Sequence, residues 1–274
     1  MPDKPRNAII VGMARSGTSL TASIFARQGY FIADDTGSDT QQADLHNPGG
    51  YWELDELVEA NARVLAATGF PDHNTWTSRR ITPEQARAVK SLVHSEEHVR
   101  LVERFAGRQP WMWKDPRLCY TLDYWWPLMD PATTGVVLVT RDPIEIHRSL
   151  VRANWGGVRN FDVDDYIDRI NQHIANARES ITRLDIPHIE FDYSDYARHP
   201  ERIADALNQF FGFRLSPDDL GFKAKYNTSG VRGRIAFALE RVGSRLPAPV
   251  RQTARKLIPR AVLRTLWPNR PELH

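Results

Sequence analysis

The chain has 274 residues, 41% of them hydrophobic and 26% charged, with a net charge of +2. These are the proportions of a globular chain long enough to bury a substantial core, and no apolar run approaches the roughly 20 residues of a membrane span. The single cysteine, Cys119, excludes an intrachain disulfide, and Met1 to Arg6 leads straight into an apolar run with no room for a signal peptide, so a cytoplasmic location is expected.

Taken in chain order, the pattern predicts a strand over 7–12, a helix over 17–28 and a short strand over 30–33. Residues 34–50 are polar and rich in Asp, Gly, Thr and Gln, and predict a long loop of the kind that forms lids and binding loops. Helical periodicity covers 53–68 and 83–105, the second opening on Thr82 as N-cap and Pro83 at the first helical position. A strand is expected at Trp111-Met112-Trp113 and a buried one from Gly135 to Thr140. Helices at 143–153 and 163–184, a strand at His188–Phe191 and a helix at 200–211 complete the series. Repeated β-then-α units imply an α/β fold, a parallel sheet covered by helices on both faces.

In such a sheet, ligands bind beyond the carboxyl ends of the strands. Residues Arg15-Ser16-Gly17-Thr18, Lys114-Asp115-Pro116-Arg117, Arg141-Asp142-Pro143 and Asp192-Tyr193 occupy those places, and three of the four clusters carry a cation. Gly12 and Gly17 have the spacing of a phosphate-binding P-loop, but Thr18 stands where a nucleotide triphosphatase needs lysine. The glycines and the helix N-terminus still suit an anion. A kinase would further need that lysine and an acid for Mg²⁺, and Asp142 is a poor candidate for the acid because Arg141 directly precedes it.

Arg15-Ser16-Gly17-Thr18-Ser19 after a strand resembles the 5′-phosphosulfate loop of sulfotransferases that use 3′-phosphoadenylyl sulfate (PAPS). Arg141 and Ser149 have the eight-residue spacing of that family's 3′-phosphate pair. Lys114-Asp115-Pro116 resembles the K-D-P of tyrosylprotein sulfotransferases and bacterial relatives, and Asn47-Pro48-Gly49-Gly50-Tyr51-Trp52-Glu53 the N-P-x-G-Y-[WF]-E of a bacterial subgroup. The resemblance implies sulfuryl transfer from PAPS to a hydroxyl or amine by in-line displacement, releasing adenosine 3′,5′-bisphosphate, without a metal or a covalent enzyme intermediate. It assigns charge stabilisation to Arg15 and Lys114 and donor binding to Arg15, Ser16, Gly17, Thr18, Ser19, Arg141 and Ser149. Tyr193 matches a tyrosine near the adenine, and Arg232 faintly matches an arginine that closes over the 3′-phosphate. Glu53 and His46 are the two candidates for the base. A small-molecule or carbohydrate acceptor is expected, though the sequence does not name it; Trp52, Trp76, Trp111, Trp113, Trp125 and Trp126 could offer aromatic surfaces to one or simply fill the core.

The domain boundary is drawn between a catalytic domain at 1–230 and a helical basic C-terminal extension at 231–274. The extension holds 10 Lys/Arg and 2 Asp/Glu, a net of +8, against −6 for the remainder. It fits either a helical hairpin whose arginines face water or the acidic body, or a contact with an anionic membrane surface, and no nucleic-acid partner is expected. His94-Ser95-Glu96-Glu97-His98 fits a zinc-peptidase pattern but lies on a charged helix face with no third ligand nearby. The rivals to a sulfotransferase are a small-molecule kinase of the P-loop kind and a non-enzymatic protein that binds anionic surfaces.

Overall fold

In the computed structural model the described residues are 6–44, 47, 49–70, 80–153, 155, 158, 161–222, 237–238 and 241–242. Helices and strands alternate: β1 (Asn7–Val11), α1 (Thr18–Arg27), α2 (Asp55–Ala67), α3 (Pro83–Ser91), α4 (Glu96–Ala106), β2 (Met112–Lys114), α5 (Leu118–Trp125), β3 (Thr134–Thr140), α6 (Pro143–Ala153), α7 (Val163–Arg183), β4 (His188–Asp192), α8 (Asp195–Arg198) and α9 (Pro200–Phe211). The strands form one parallel sheet in the order β2-β1-β3-β4. Among the described residues no helix is long and apolar enough to cross a membrane.

The described backbone forms two units, one ending at Arg141 and resuming over Gln172–Phe222, the other made of residues between Asp142 and Asn171 with the few described residues after Phe222. The first unit contains the sheet. Side chains alternate across a strand, so Ala8, Ile10, Met112, Val137 and Val139 face one way and pack with Ala22, Ile24 and Phe25 of α1 and Leu207 and Phe211 of α9. Trp113, of opposite parity, meets Phe105 of α4 and Trp125 of α5 at ring separations of 5.4 and 5.2 Å. Helices therefore cover both faces, and every residue of β1 is buried. Lys114 shares the parity of Met112 and so falls on the α1 side of the sheet.

In the second unit, the His147 ring of α6 lies 5.8 Å from both Tyr166 and Phe237. Arg241 Nε reaches Asp164 Oδ1 at 2.7 Å. Phe237, Ala238, Arg241 and Val242, the described part of the basic extension, are helical. The expected boundary at 230/231 lies outside the described residues.

Three expectations need correction. Residues 30–33 make no strand: Phe31 alone bridges to Trp111, its N–H bonding Pro110 O and its carbonyl accepting from Met112 N–H, both at 2.9 Å. The helix expected over 83–105 is two helices, because Leu92 is extended and Ser95 caps α4 through His98 N–H at 3.2 Å. Serine competes for backbone groups and so starts helices more readily than it continues them. The helix expected from residue 53 begins at Asp55. Thr82 and Pro83 open α3 as the sequence indicates, with a complete capping box to Gln85.

Candidate active site

The loop from Gly12 to Ser19 joins the central strand β1 to α1. A Cβ on Gly12 would stand 2.4 Å from Val139 O, which admits only glycine at that approach. Arg15 and Gly17 both have left-handed backbones, φ 68° and 104°. A non-glycine residue there costs about 1–2 kcal/mol, a strain typical of functional loops. Gly17 is the N-cap of α1 and supplies no side chain, and the first turn holds no acid. Its first N–H groups are thus left for an anion, with the positive end of the helix dipole behind them. Thr18 opens the helix and is 3% exposed; Ser16 is fully buried and its Oγ has no hydrogen-bond partner. An orphaned buried hydroxyl is costly unless something occupies the loop, so Ser16 is suited to an anionic ligand there.

Lys114 ends β2 beside this loop. Its Nζ pairs with the Glu53 carboxylate and lies 3.3 Å from Ser19 Oγ. The lysine side chain is 2% exposed and the glutamate 13%. Burial holds the Glu53 carboxyl above its ordinary range; Lys114 opposes that shift and Asp115 adds to it. Glu53 is not in the first turn of a helix, where its sequence position suggested it. It lies two residues before α2, where its carbonyl accepts from Gln41 N–H at 2.8 Å, next to the bridge between Leu54 and Thr40.

The long loop is thereby tied to the site. Asp55 N–H bonds Asp39 O at 2.9 Å. Asn47 Nδ2 reaches Ser19 Oγ at 3.1 Å and Gly50 O at 2.8 Å, and the Tyr51 hydroxyl donates to Asp44 Oδ2 at 2.8 Å. Burial pulls the Arg15 guanidinium below its ordinary range, against the opposing influence of Tyr51, Asp44 and Tyr193.

Arg141, after β3, donates from Nη1 to Arg15 O at 3.0 Å, and its guanidinium carbon is 4.5 Å from the Tyr193 ring centre. Tyr193 in turn lies under the loop: a Cβ on Gly17 would be 2.3 Å from its Cδ2. Arg15, Ser16, Gly17, Thr18, Ser19, Glu53, Lys114, Arg141 and Tyr193 thus belong to one unit, whereas Ser149 is buried on α6 in the second. His46, Arg232 and Trp76 lie outside the described residues. Trp111, Trp113, Trp125 and Trp126 are core residues, at most 7% exposed, and offer no surface to an acceptor; Trp52 is half-buried. His94 and His98 each bond to Tyr124, through its carbonyl and its hydroxyl, at 2.7 Å. Burial pushes the Cys119 thiol up to about 12, the value of an inert core residue.

Sequence reasoning missed Asn61. It is fully buried on α2 and bonds Asp115 Oδ2 at 2.8 Å, directly behind Lys114. Its signal was an asparagine on the apolar stripe Leu57, Ala60, Val64, Leu65.

Residues 7–217 match the family model described as the sulfotransferase family. Two solved structures are similar in fold. A sulfotransferase domain from the curacin biosynthetic pathway is 16% identical, with 83% of this chain and 81% of that one covered at a TM-score of 0.45. A sulfotransferase domain from the olefin synthase of Synechococcus PCC 7002 is 17% identical, with 94% and 98% covered at a TM-score of 0.44. No curated protein matches the sequence.

Proposed function

The chain belongs to the sulfotransferase family, and from that premise we propose that it moves the sulfuryl group of PAPS to a hydroxyl or amine acceptor by in-line displacement. The observation that carries the reading is the position of the Lys114 ammonium, paired with Glu53 and 3.3 Å from Ser19 Oγ at the first turn of α1. A cation and a carboxylate are thus held together at the mouth of an anion-binding loop.

The donor supplies an activated sulfuryl group on a phosphosulfate linkage. Ser16, Gly17, Thr18 and Ser19 bind the 5′ end through hydroxyls and first-turn N–H groups. Arg15 and Lys114 stabilise the charge that builds on the leaving phosphate and the sulfuryl oxygens. Glu53 takes the proton of the acceptor as its oxygen or nitrogen forms the new bond to sulfur. Burial makes that carboxylate a stronger base than an exposed glutamate. Arg141 binds the 3′-phosphate, and Tyr193 lies beside the base. The acceptor is a small molecule or carbohydrate that enters past the 34–50 loop.

The test is transfer from PAPS labelled with radioactive sulfur, paired with equilibrium binding of adenosine 3′,5′-bisphosphate in the absence of Mg²⁺. Tight metal-independent binding and labelled product are expected. Preference for ATP with Mg²⁺ would overturn the reading in favour of a kinase.

A further inference from the structure

Behind the Lys114–Glu53 pair lies a buried polar network. Asp115, the residue after Lys114, is fully buried and accepts three hydrogen bonds: from Asn61 Nδ2 at 2.8 Å and from the backbone N–H and Nη1 of Arg117, both at 3.0 Å. Asn61 is held from its other side. Its Oδ1 accepts from Thr121 Oγ1 at 2.6 Å and Trp125 Nε1 at 2.7 Å. Each polar atom of the asparagine side chain therefore has a partner, and the amide has a single orientation. Such a network rigidifies what it connects.

What it connects is the site. Asn61 is on α2, and the segment leading into α2 carries Glu53. Asp115 is in the turn that leaves β2, and its chain neighbour is Lys114. The Asn61–Asp115 hydrogen bond thus ties the element bearing the carboxylate to the element bearing the cation. We propose that Asn61 is a positioning residue of this enzyme, one that touches no substrate and fixes the distance between Lys114 and Glu53 through Asp115. The inference rests on the sulfuryl-transfer reading for its effect on turnover, but the geometry it asserts can be measured without turnover.

The experiment compares Asn61→Ala with Thr121→Val in the full chain. Thr121→Val removes one bond to the far side of Asn61, leaves the one from Trp125 and spares the bond to Asp115. A misplacement of about 1 Å in a catalytic constellation costs on the order of 100-fold in rate, so Asn61→Ala is expected to lower kcat by roughly 10- to 100-fold. Its dissociation constant for adenosine 3′,5′-bisphosphate should stay within about two-fold of wild type, because the β1–α1 loop is untouched. Thr121→Val should lower the melting temperature and leave kcat within about two-fold. The geometric readout is the carbon-13 resonance of the Glu53 carboxyl, assigned by its loss in Glu53→Gln. Lys114 opposes the burial that raises this group, so a released Lys114 moves the Glu53 titration to higher pH in Asn61→Ala and not in Thr121→Val. Should Asn61→Ala fail to fold, Asn61→Ser, too short to reach Asp115, is read in the same way. Equal loss of kcat in the two variants at matched loss of stability overturns the proposal, as does an unmoved Glu53 titration in Asn61→Ala. If wild type transfers no sulfuryl group, the functional reading fails, and the carboxyl titration still decides the role of Asn61.

Discussion

Replacing Lys114 by methionine keeps most of the side-chain volume and removes the charge. Lys114 and Glu53 are 2% and 13% exposed, so solvent cannot replace the lost partner. Removing one member of a buried ion pair costs about 3–5 kcal/mol when the other remains charged. Glu53 escapes part of that cost by taking a proton. Its folded pKa is already raised by burial, with Lys114 opposing, and without Lys114 it rises further. A carboxyl with a raised folded pKa contributes stability that is fully present below its unfolded pKa and is lost as pH rises through the folded one. The deficit of Lys114→Met relative to wild type should therefore be small at a pH below the ordinary carboxylate range and grow as pH rises and Glu53 ionises, towards about 3–5 kcal/mol. Urea unfolding at low and high pH measures it through the transition midpoint. The double variant Lys114→Met/Glu53→Gln should recover most of the loss at high pH, because a buried pair replaced by two neutral groups of similar shape is close to neutral. Turnover of Lys114→Met should fall by about 10²- to 10³-fold, the usual effect of losing one donor to developing charge. The same deficit at low and high pH, or a double variant as unstable as the sum of the single ones, would refute the reasoning.

Arg141→Ala should weaken adenosine 3′,5′-bisphosphate by roughly 10- to 100-fold and adenosine 5′-monophosphate hardly at all; equal losses by calorimetry would remove Arg141 from the 3′-phosphate. Glu53→Gln should lower kcat by about 10²- to 10⁴-fold with nucleotide affinity near wild type. The acidic limb of the wild-type pH–kcat profile should lie above the ordinary carboxylate range and vanish in that variant; normal turnover in Glu53→Gln together with loss in His46→Ala would transfer the role of base to His46. Gly17→Ala forces a side chain onto φ 104° and to 2.3 Å from Tyr193 Cδ2, so it should cost well over about 1 kcal/mol of stability and abolish nucleotide binding. Retained nucleotide affinity in a folded Gly17→Ala would mean that the loop does not hold the anion.

The inner strands were legible because β1 and β3 are buried on both faces, unlike the edge strand β4. Ile9-Ile10-Val11 and Val136-Val137-Leu138-Val139 are continuous apolar runs bounded by glycine or polar turns, and such runs in alternation with helices specify parallel order. Residues 30–33 carried the same composition, Tyr-Phe-Ile-Ala, yet made one bridge, since pairing is a property of the neighbour as much as of the segment. The stretch 83–105 misled differently. Its periodicity continues on both sides of Leu92, and only the capping chemistry of Ser95 marks where one helix stops and another starts. The α5 helix gave no readable period because all eight of its residues are buried, leaving no polar face to set a phase.

The site divides along a similar line. Arg15, Lys114 and Arg141 could be singled out because each lies at or shortly beyond the carboxyl end of a strand, and the topology of a parallel sheet places such residues on one edge whatever their side chains do. Glu53 was found on a motif but for a different environment. Sequence distance put it at a helix N-terminus, where the dipole would keep it acidic, whereas the fold puts it against Lys114 in a buried place that raises its pKa. On the proposed reading, the difference replaces a carboxylate that the acceptor must desolvate with one already desolvated at rest. The pairing opposes the rise that burial causes: Lys114 lowers what desolvation raises. Asn61 escaped notice because its role depends on partners 54 and 64 residues away, Asp115 and Trp125. A buried asparagine in a helix stripe announces only that it must be satisfied; which groups satisfy it, and what they hold in place, is decided by tertiary contact alone.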